Sequence, residues 1–562
     1  MKKRNLVKIG AIVTGVSLAV CGCGSAESAG NAGQFESQTQ TAAGETTENS
    51  NGEITTFTFS KISYPSVTLP EGQTSDDNVV LDYLRDNYQV DMKLAWQAEA
   101  SEYNNKLSLN IASGSLPDIF YLKGDDYRTF VQLVQNGMLA DLTDIYEDNI
   151  SDTIKNIDAS YGGRNFEPVT VDGRIMAVPA GNLDGQQDVL WLRKDWLDNL
   201  GLEVPKTVED LEKVLTAFVY DDPDGNGIDD TIGLTVDATK PVGLYNHAFG
   251  LEPIFYSFNA YPSYWMKNDQ GEIYYGSTAP EMKEALALLQ DWYKKGLIDK
   301  QFATRIGSGE TEAVFTSGQS GAYFGAVPAN YVDAFTNNPD IELIAVNAPL
   351  DGSGKYNYVL PSPTASMLCI SSECSDPAKA LQIIGIGNDL YRGFDETANK
   401  IFEEAGIAPN GSGRRAVFPQ GAATFDYYNI IEKLGKAVKE QIDTGSYTEY
   451  DGITQYDKDQ IALAEGFADG SNRTEVSWKA YVYRYVASEI LSDPVINPLE
   501  AAYYYTTESS ASIQSELDTL EQEMYLSIII GEKDVDYFDE FVEKWNDIGG
   551  STLLEEVKEA AK

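Results

Sequence analysis

Histidine is almost missing from this chain: His247 is the only one in 562 residues, and cysteine is nearly as scarce, with 4. One imidazole cannot build a multi-histidine metal site, HExxH does not occur, and a Ser-His-Asp triad would rest entirely on His247. That residue sits in an aromatic stretch, residues 244–249, the setting of a packed side chain. Two cysteines, Cys21 and Cys23, fall at the N-terminus, which leaves Cys369 and Cys374. Two residues are no disulfide framework, and free thiols are expected. Positive charge is short as well, since 41 Lys and Arg stand against 87 Asp and Glu, for a formal net charge of −46. A surface of that sign repels nucleic acid and anionic lipid, so neither is expected as a partner. No GxxxxGK[ST] loop occurs, so this chain does not draw energy from a nucleotide that way. With so many acids, the paired carboxylates of a glycosidase arise by chance and carry no signal, and no catalytic residue is assigned.

What is present begins with an export signal. Lys2, Lys3, Arg4 and Lys8 precede an apolar run over residues 9–20. A transmembrane helix needs about 20 apolar residues, so this shorter run reads as a removable signal. Gly22 before Cys23 resembles the junction of bacterial lipoproteins, where the cysteine is acylated and becomes N-terminal. Residues 1–22 are therefore expected to be removed, leaving 562 − 22 = 540 residues anchored through palmitate-type chains on Cys23 at the outer face of the cell membrane. Residues 23–53 are rich in Ser, Thr, Gly, Ala, Gln and Glu and form an expected disordered tether with a reach of about 30 Å. Beyond it no uninterrupted apolar run is long enough to span a bilayer, and the remaining length exceeds one core, so two or more domains are expected.

The pattern after the tether alternates strand and helix. Val90, Met92, Leu94 and Trp96 alternate with polar or small residues, residues 103–112 read as a helix, and residues 118–122 as a short apolar strand. That succession predicts an α/β lobe with parallel pairing. Thr207 is a predicted N-cap for a helix striped by Leu211, Val214, Leu215 and Phe218. Thr278 and Glu281 are spaced as a capping box, with Met282, Leu286, Leu289 and Trp292 or Tyr293 continuing to Gly296 and Lys294 and Lys295 in the last turn.

A family likeness rests on several motifs in order: Ile111-Ala-Ser-Gly114 with Leu116-Pro-Asp-Ile-Phe120, Asp172-Gly-Arg-Ile-Met-Ala-Val-Pro179, Leu190-Trp-Leu-Arg-Lys-Asp-Trp-Leu-Asp-Asn-Leu-Gly201, Trp292-Tyr-Lys-Lys-Gly-Leu-Ile-Asp299 and Phe541-Val-Glu-Lys-Trp-Asn-Asp-Ile-Gly-Gly550. Together they resemble the family 1 extracellular solute-binding proteins of ABC importers. The resemblance implies a two-lobed α/β clamshell of the type 2 periplasmic-binding-protein kind, monomeric and without catalytic activity. It would hand a small solute, an oligosaccharide first of all, to separate permease subunits. By analogy, residues 54–190 and 343–395 form lobe one and residues 191–342 and 396–562 form lobe two. A surface glycosidase or a glycan-binding adhesin uncoupled from transport is the alternative.

The same resemblance places a sugar-binding aspartate at Asp125. Residues 255–265 are dense in aromatics, contain Pro262 and follow no core periodicity, so they read as a loop offering Tyr261 and Trp265 to a ligand. Tyr121 and Asn182 complete the expected contacts. In residues 222–230, Asp222, Asp224 and Asn226 take the first, third and fifth places of an EF-hand-like loop, with Gly227 sixth, the Ile228 carbonyl seventh and Asp230 ninth. Gly233 at the twelfth place offers no bidentate carboxylate, so the expected structural calcium ion has an incomplete ligand set. Replacing Cys23 by serine should release the protein from membrane fractions into the soluble one; retention of Cys23→Ser in the membrane would remove the anchor.

Overall fold

Val90, Met92 and Trp96 point into the core from the strand Val90–Ala98, as their alternation predicts, while Leu94 is half-buried. In the computed structural model, which describes residues 54–561 apart from 64, 66, 243–247, 306, 307, 328–330, 332, 409–411, 420–422 and 424, this strand lies parallel to Thr55–Ile62. Thr55–Ile62 is in turn parallel to Ile119–Lys123, and the helix predicted between them runs Tyr103–Ser113. Thr364–Ile370 and Val178–Gly181 complete a five-stranded sheet, with Thr364–Ile370 antiparallel to both its neighbours.

A second sheet has the order Leu343–Val346, Asp188–Arg193, Ser320–Ala326, Ile232–Leu234. Every residue of Asp188–Arg193 and Ser320–Ala326 is buried, because both faces of this sheet are covered. One face meets the helices Val208–Tyr220, Met282–Lys295, Ser510–Ile529 and Tyr537–Trp545 through Leu215, Trp292, Met524 and Phe541. The other meets Phe335, Trp478 and Tyr483. The first sheet likewise has a core on each face, and Cys369 and Cys374 fall in different ones as buried free thiols. Each sheet with its own cores makes one lobe of an α/β clamshell.

The lobe boundaries differ from the sequence expectation. Asp188–Arg193 is one continuous strand of the second sheet, and Leu343–Val346 pairs with it, so the chain changes lobes at residues 182–187 and 347–363. The described residues of 396–431 also remain with the first lobe: Ala398, Phe402, Val417, Phe425 and Ile431 fill its core.

Local signals were mostly reliable. Thr207 caps Val208–Tyr220, its hydroxyl accepting from the Asp210 amide at 3.2 Å, and the four striped residues are buried. The proposed capping box is not formed. Met282–Lys295 starts four residues after Thr278, whose hydroxyl donates to the Tyr275 carbonyl at 2.9 Å within a 3-10 turn. Residues 255–265 are not one loop, because Glu252–Ser257 is a helix with Ile254 and Phe255 fully buried and Pro253 in its first turn. The signal, the tether, Cys23 and His247 lie outside the described residues, and no helix among those described is long and apolar enough to cross a membrane.

One buried acid of the first lobe has a testable cost. Asp158 is 6% exposed and accepts from the Tyr146 hydroxyl at 2.8 Å and the Asn165 amide at 2.7 Å. Burial pushes its carboxyl up to about 7, against the two hydrogen bonds. A folded value above the unfolded one means that this group stabilises most below about pH 4 and that the contribution is lost as pH rises through about 7. The native chain should therefore lose stability relative to Asp158→Asn between pH 5 and pH 8, by at most about 1.4 kcal/mol per pH unit. Urea midpoints measure this, and parallel pH curves would show an ordinary carboxyl.

Candidate functional site

Short polar turns end the strands where the two lobes face each other, and they line a cavity of about 830 Å³. That is toward the upper end of small-molecule sites, roughly 300–1,000 Å³. The first lobe contributes the turn after Ile119–Lys123, the end of Val178–Gly181 and the approach to Thr364–Ile370. Gly124 must be glycine here, since a Cβ would stand 2.6 Å from the Thr364 carbonyl oxygen. The close approach sets the direction of the next residue, Asp125, whose exposed carboxylate lines the cavity. Asp126 holds the turn instead, accepting from the Lys123 amide at 3.1 Å and from Asn104 at 2.7 Å. Asn182 is fixed by its side-chain donation to the Ser362 carbonyl at 2.8 Å.

The second lobe supplies rings and a helix face. Trp265 opens the strand Trp265–Lys267, which pairs with Ile273–Tyr275. Its ring lies 4.9 Å from that of Tyr275, which stacks on Trp545 at 4.9 Å and 11°. Residues 502 and 503 run beside it, the Ala502 amide donating to the Trp265 carbonyl at 2.6 Å. Tyr503, Tyr504 and Tyr505 then cross the cavity wall, with Tyr505 stacked on Tyr127 at 3.9 Å. Tyr275 and Trp545 are buried, so they serve as backing, whereas Trp265 and the three tyrosines are half-buried and present ring surface to the cavity.

In the helix Ser510–Ile529, Ser510, Gln514, Asp518, Glu521, Gln522 and Tyr525 share one face by their spacing, and all six line the cavity. Leu517, Met524 and Ile528 pack into the core. Glu521 is 5% exposed and accepts from the hydroxyls of Ser277 at 2.5 Å, Tyr525 at 2.9 Å, Tyr275 at 3.0 Å and Ser263 at 3.3 Å. Burial raises its carboxyl, and the hydroxyls oppose that rise.

Of the ligand contacts expected from sequence, Asp125, Asn182 and Trp265 line this cavity together. Tyr121 and Tyr261 do not. Tyr121 lies within the strand before the turn and packs edge-on against Tyr103 at 6.2 Å. Tyr261 leans on Tyr256 at 5.8 Å, in a turn that crowds Gly276 so closely that a Cβ there would meet the Tyr261 carbonyl oxygen at 1.8 Å. Sequence reading missed Tyr503, Tyr504 and Tyr505 and the polar face of Ser510–Ile529. Three successive tyrosines, and polar residues at helical spacing beside an apolar stripe, were the available signals.

The acidic loop lies apart from the cavity, between Val208–Tyr220 and Ile232–Leu234. It is curled, with left-handed backbone at Asp222, Gly225 and Gly227. The Gly227 amide donates to both Asp222 carboxylate oxygens at 3.0 and 3.2 Å, and the Asn226 side chain donates to Asp224 at 2.8 Å and to Asp230 at 3.4 Å. The Ile228 carbonyl accepts from the Asp230 amide at 3.0 Å. The ligands expected here, the carboxylates of Asp222, Asp224 and Asp230, the Asn226 side-chain oxygen and the Ile228 carbonyl, are all oxygen, which suits a hard cation. Among the described residues, no three His, Cys, Asp or Glu side chains are gathered closely enough to hold a metal by themselves.

The sequence pattern of the bacterial extracellular solute-binding protein family matches residues 79–386, more than half of the chain. Lipoprotein LipO of Bacillus subtilis is 26% identical over 496 residues, covering 86% of this chain and 88% of its own. The fructooligosaccharide ABC transporter substrate-binding protein FusA of Streptococcus pneumoniae is 27% identical over 236 residues, 40% of this chain and 43% of its own. Among solved structures, a solute-binding protein of Bifidobacterium longum infantis superposes with a TM-score of 0.60 at 15% identity, covering 91% of this chain and 99% of that one, which is a likeness of fold. The two-lobed fold, the cavity between the lobes and the sequence match agree, and the chain belongs to the bacterial extracellular solute-binding proteins.

Proposed function

We propose that this protein captures an oligosaccharide outside the cell and delivers it to the permease subunits of an ABC importer, acting as a monomer and without chemistry of its own. The observation that carries the reading is the cavity wall, where exposed ring surface from Trp265 and Tyr503–Tyr505 lies beside hydroxyl, amide and carboxylate groups. Ring faces match the apolar faces of sugars, while Asp125, Asn182, Gln514 and Gln522 match their hydroxyls. A relative named for fructooligosaccharide and an ABC transporter supports the same reading. Acylation at Cys23 would hold the protein at the outer face of the cell membrane, in keeping with a relative named as a lipoprotein. Asp222, Asp224, Asn226, the Ile228 carbonyl and Asp230 would hold a structural calcium ion, which would bring the loop's carboxylates together by neutralising their repulsion.

A thermal-shift screen of the mature chain against neutral and acidic oligosaccharides tests the reading, since a ligand at 100 times its Kd stabilises by about 2.7 kcal/mol. Trp265→Ala should weaken the best ligand by roughly tenfold, about 1.4 kcal/mol and within what an aromatic contact adds, with little change in melting temperature. If melting collapses while affinity survives, the ring is core and not platform. For the acidic loop, chelation should lower the melting temperature, calcium should restore it better than magnesium, and Asp224→Ala should abolish the difference. Identical melting in chelator and in millimolar calcium would dispose of the metal.

A further inference from the structure

We infer that the cavity selects uncharged sugars against anionic ones, with Asp125 and Asp518 as the specificity-determining residues; the inference rests on the oligosaccharide reading above. Among the described lining residues the charged ones are Asp125, Asp518, Glu521 and a single cation, the exposed Lys240. Asp125 and Asp518 are both exposed, one on each lobe, so a ligand between the lobes meets carboxylates from two sides. Their field adds to that of a chain whose formal charge is −46.

Apart from Lys240, the cationic places near the cavity that could receive a sugar carboxylate are already engaged. The N-terminus of Ser510–Ile529 reaches the cavity at Ser510, and a helix N-terminus ordinarily attracts an anion. Here Glu556 supplies it, accepting from the Ser509 amide at 3.1 Å and the Ser509 hydroxyl at 2.5 Å. Arg164, close by the cavity residues Asn182 and Ser362, is paired with Glu500 at 3.1 Å. The Arg128 guanidinium donates to the Glu508 carbonyl at 3.3 Å. An entering uronate would find Lys240 alone, or would have to displace one of these internal partners, while facing both Asp125 and Asp518. A sugar hydroxyl meets the same two carboxylates as acceptors and is bound by them. Attraction for one class and repulsion of the other thus come from the same atoms.

The test starts from the tightest oligosaccharide found in the mixed screen and compares it with a partner of opposite charge state: a neutral sugar with one primary hydroxyl oxidised to a carboxylate, or a uronate with its methyl ester. Calorimetry at low salt should give the uncharged member the tighter binding by at least about tenfold, with the gap narrowing at high salt as the carboxylates are screened. In Asp125→Asn/Asp518→Asn the ratio of the two affinities should fall at least about threefold. The ratio is read so that a general loss of binding in the variant is not mistaken for lost discrimination. Equal or tighter binding of the anionic member overturns the inference alone, and an unchanged ratio in the double variant overturns the assignment to these residues. Binding of no sugar of either charge overturns the oligosaccharide reading, and the inference with it.

Discussion

A carboxylate taken out of water must be compensated, and the way Glu521 meets that demand orders the cavity side of the second lobe. An uncompensated buried charge costs several kcal/mol, so Ser263, Ser277, Tyr275 and Tyr525 are held where their hydroxyls reach it. Those four residues come from the turn before Trp265–Lys267, the 3-10 turn after Ile273–Tyr275, that strand itself, and the helix that carries Glu521. One side chain therefore sets the rotation of Ser510–Ile529 and the position of the small sheet beneath Trp265. The same demand explains the absent capping box, because Ser277 is committed to Glu521 and the chain is still in a 3-10 turn at Thr278.

From that arrangement follows a division between rings that support and rings that are presented. Trp545 and Tyr275 stack face to face and are buried, and Trp265 rests against both. Tyr505 is backed by Tyr127 from the first lobe. A ring braced in this way loses little further freedom when a ligand arrives, which is the physical content of a preorganised platform. A polar partner is braced too, Asn182 by the Ser362 carbonyl.

The charge of the chain then acquires a local meaning. A net charge of −46 does no more than keep nucleic acid and anionic surfaces away. Two exposed carboxylates at a cleft, with neighbouring guanidiniums and a helix N-terminus already engaged by protein groups, turn the same excess into a filter on what enters.

By itself the sequence determined what depends on neighbours along the chain. Alternation in Val90–Ala98 and the Thr207 cap with the stripe behind it are local, and so were legible; the ordered motifs added the two-lobed α/β class and, by resemblance, Asp125. Tertiary structure decided the rest. The described residues of 396–431 belong with the first lobe because their apolar side chains complete its core, and Tyr121 and Tyr261 stay out of the cavity wall, one packed on Tyr103 and the other on Tyr256. Tyr503–Tyr505 and the polar face of Ser510–Ile529 reach the site from more than 200 residues beyond Trp265. No periodicity can announce such a meeting, since it is fixed by which buried surfaces must be covered and which buried charge must be compensated.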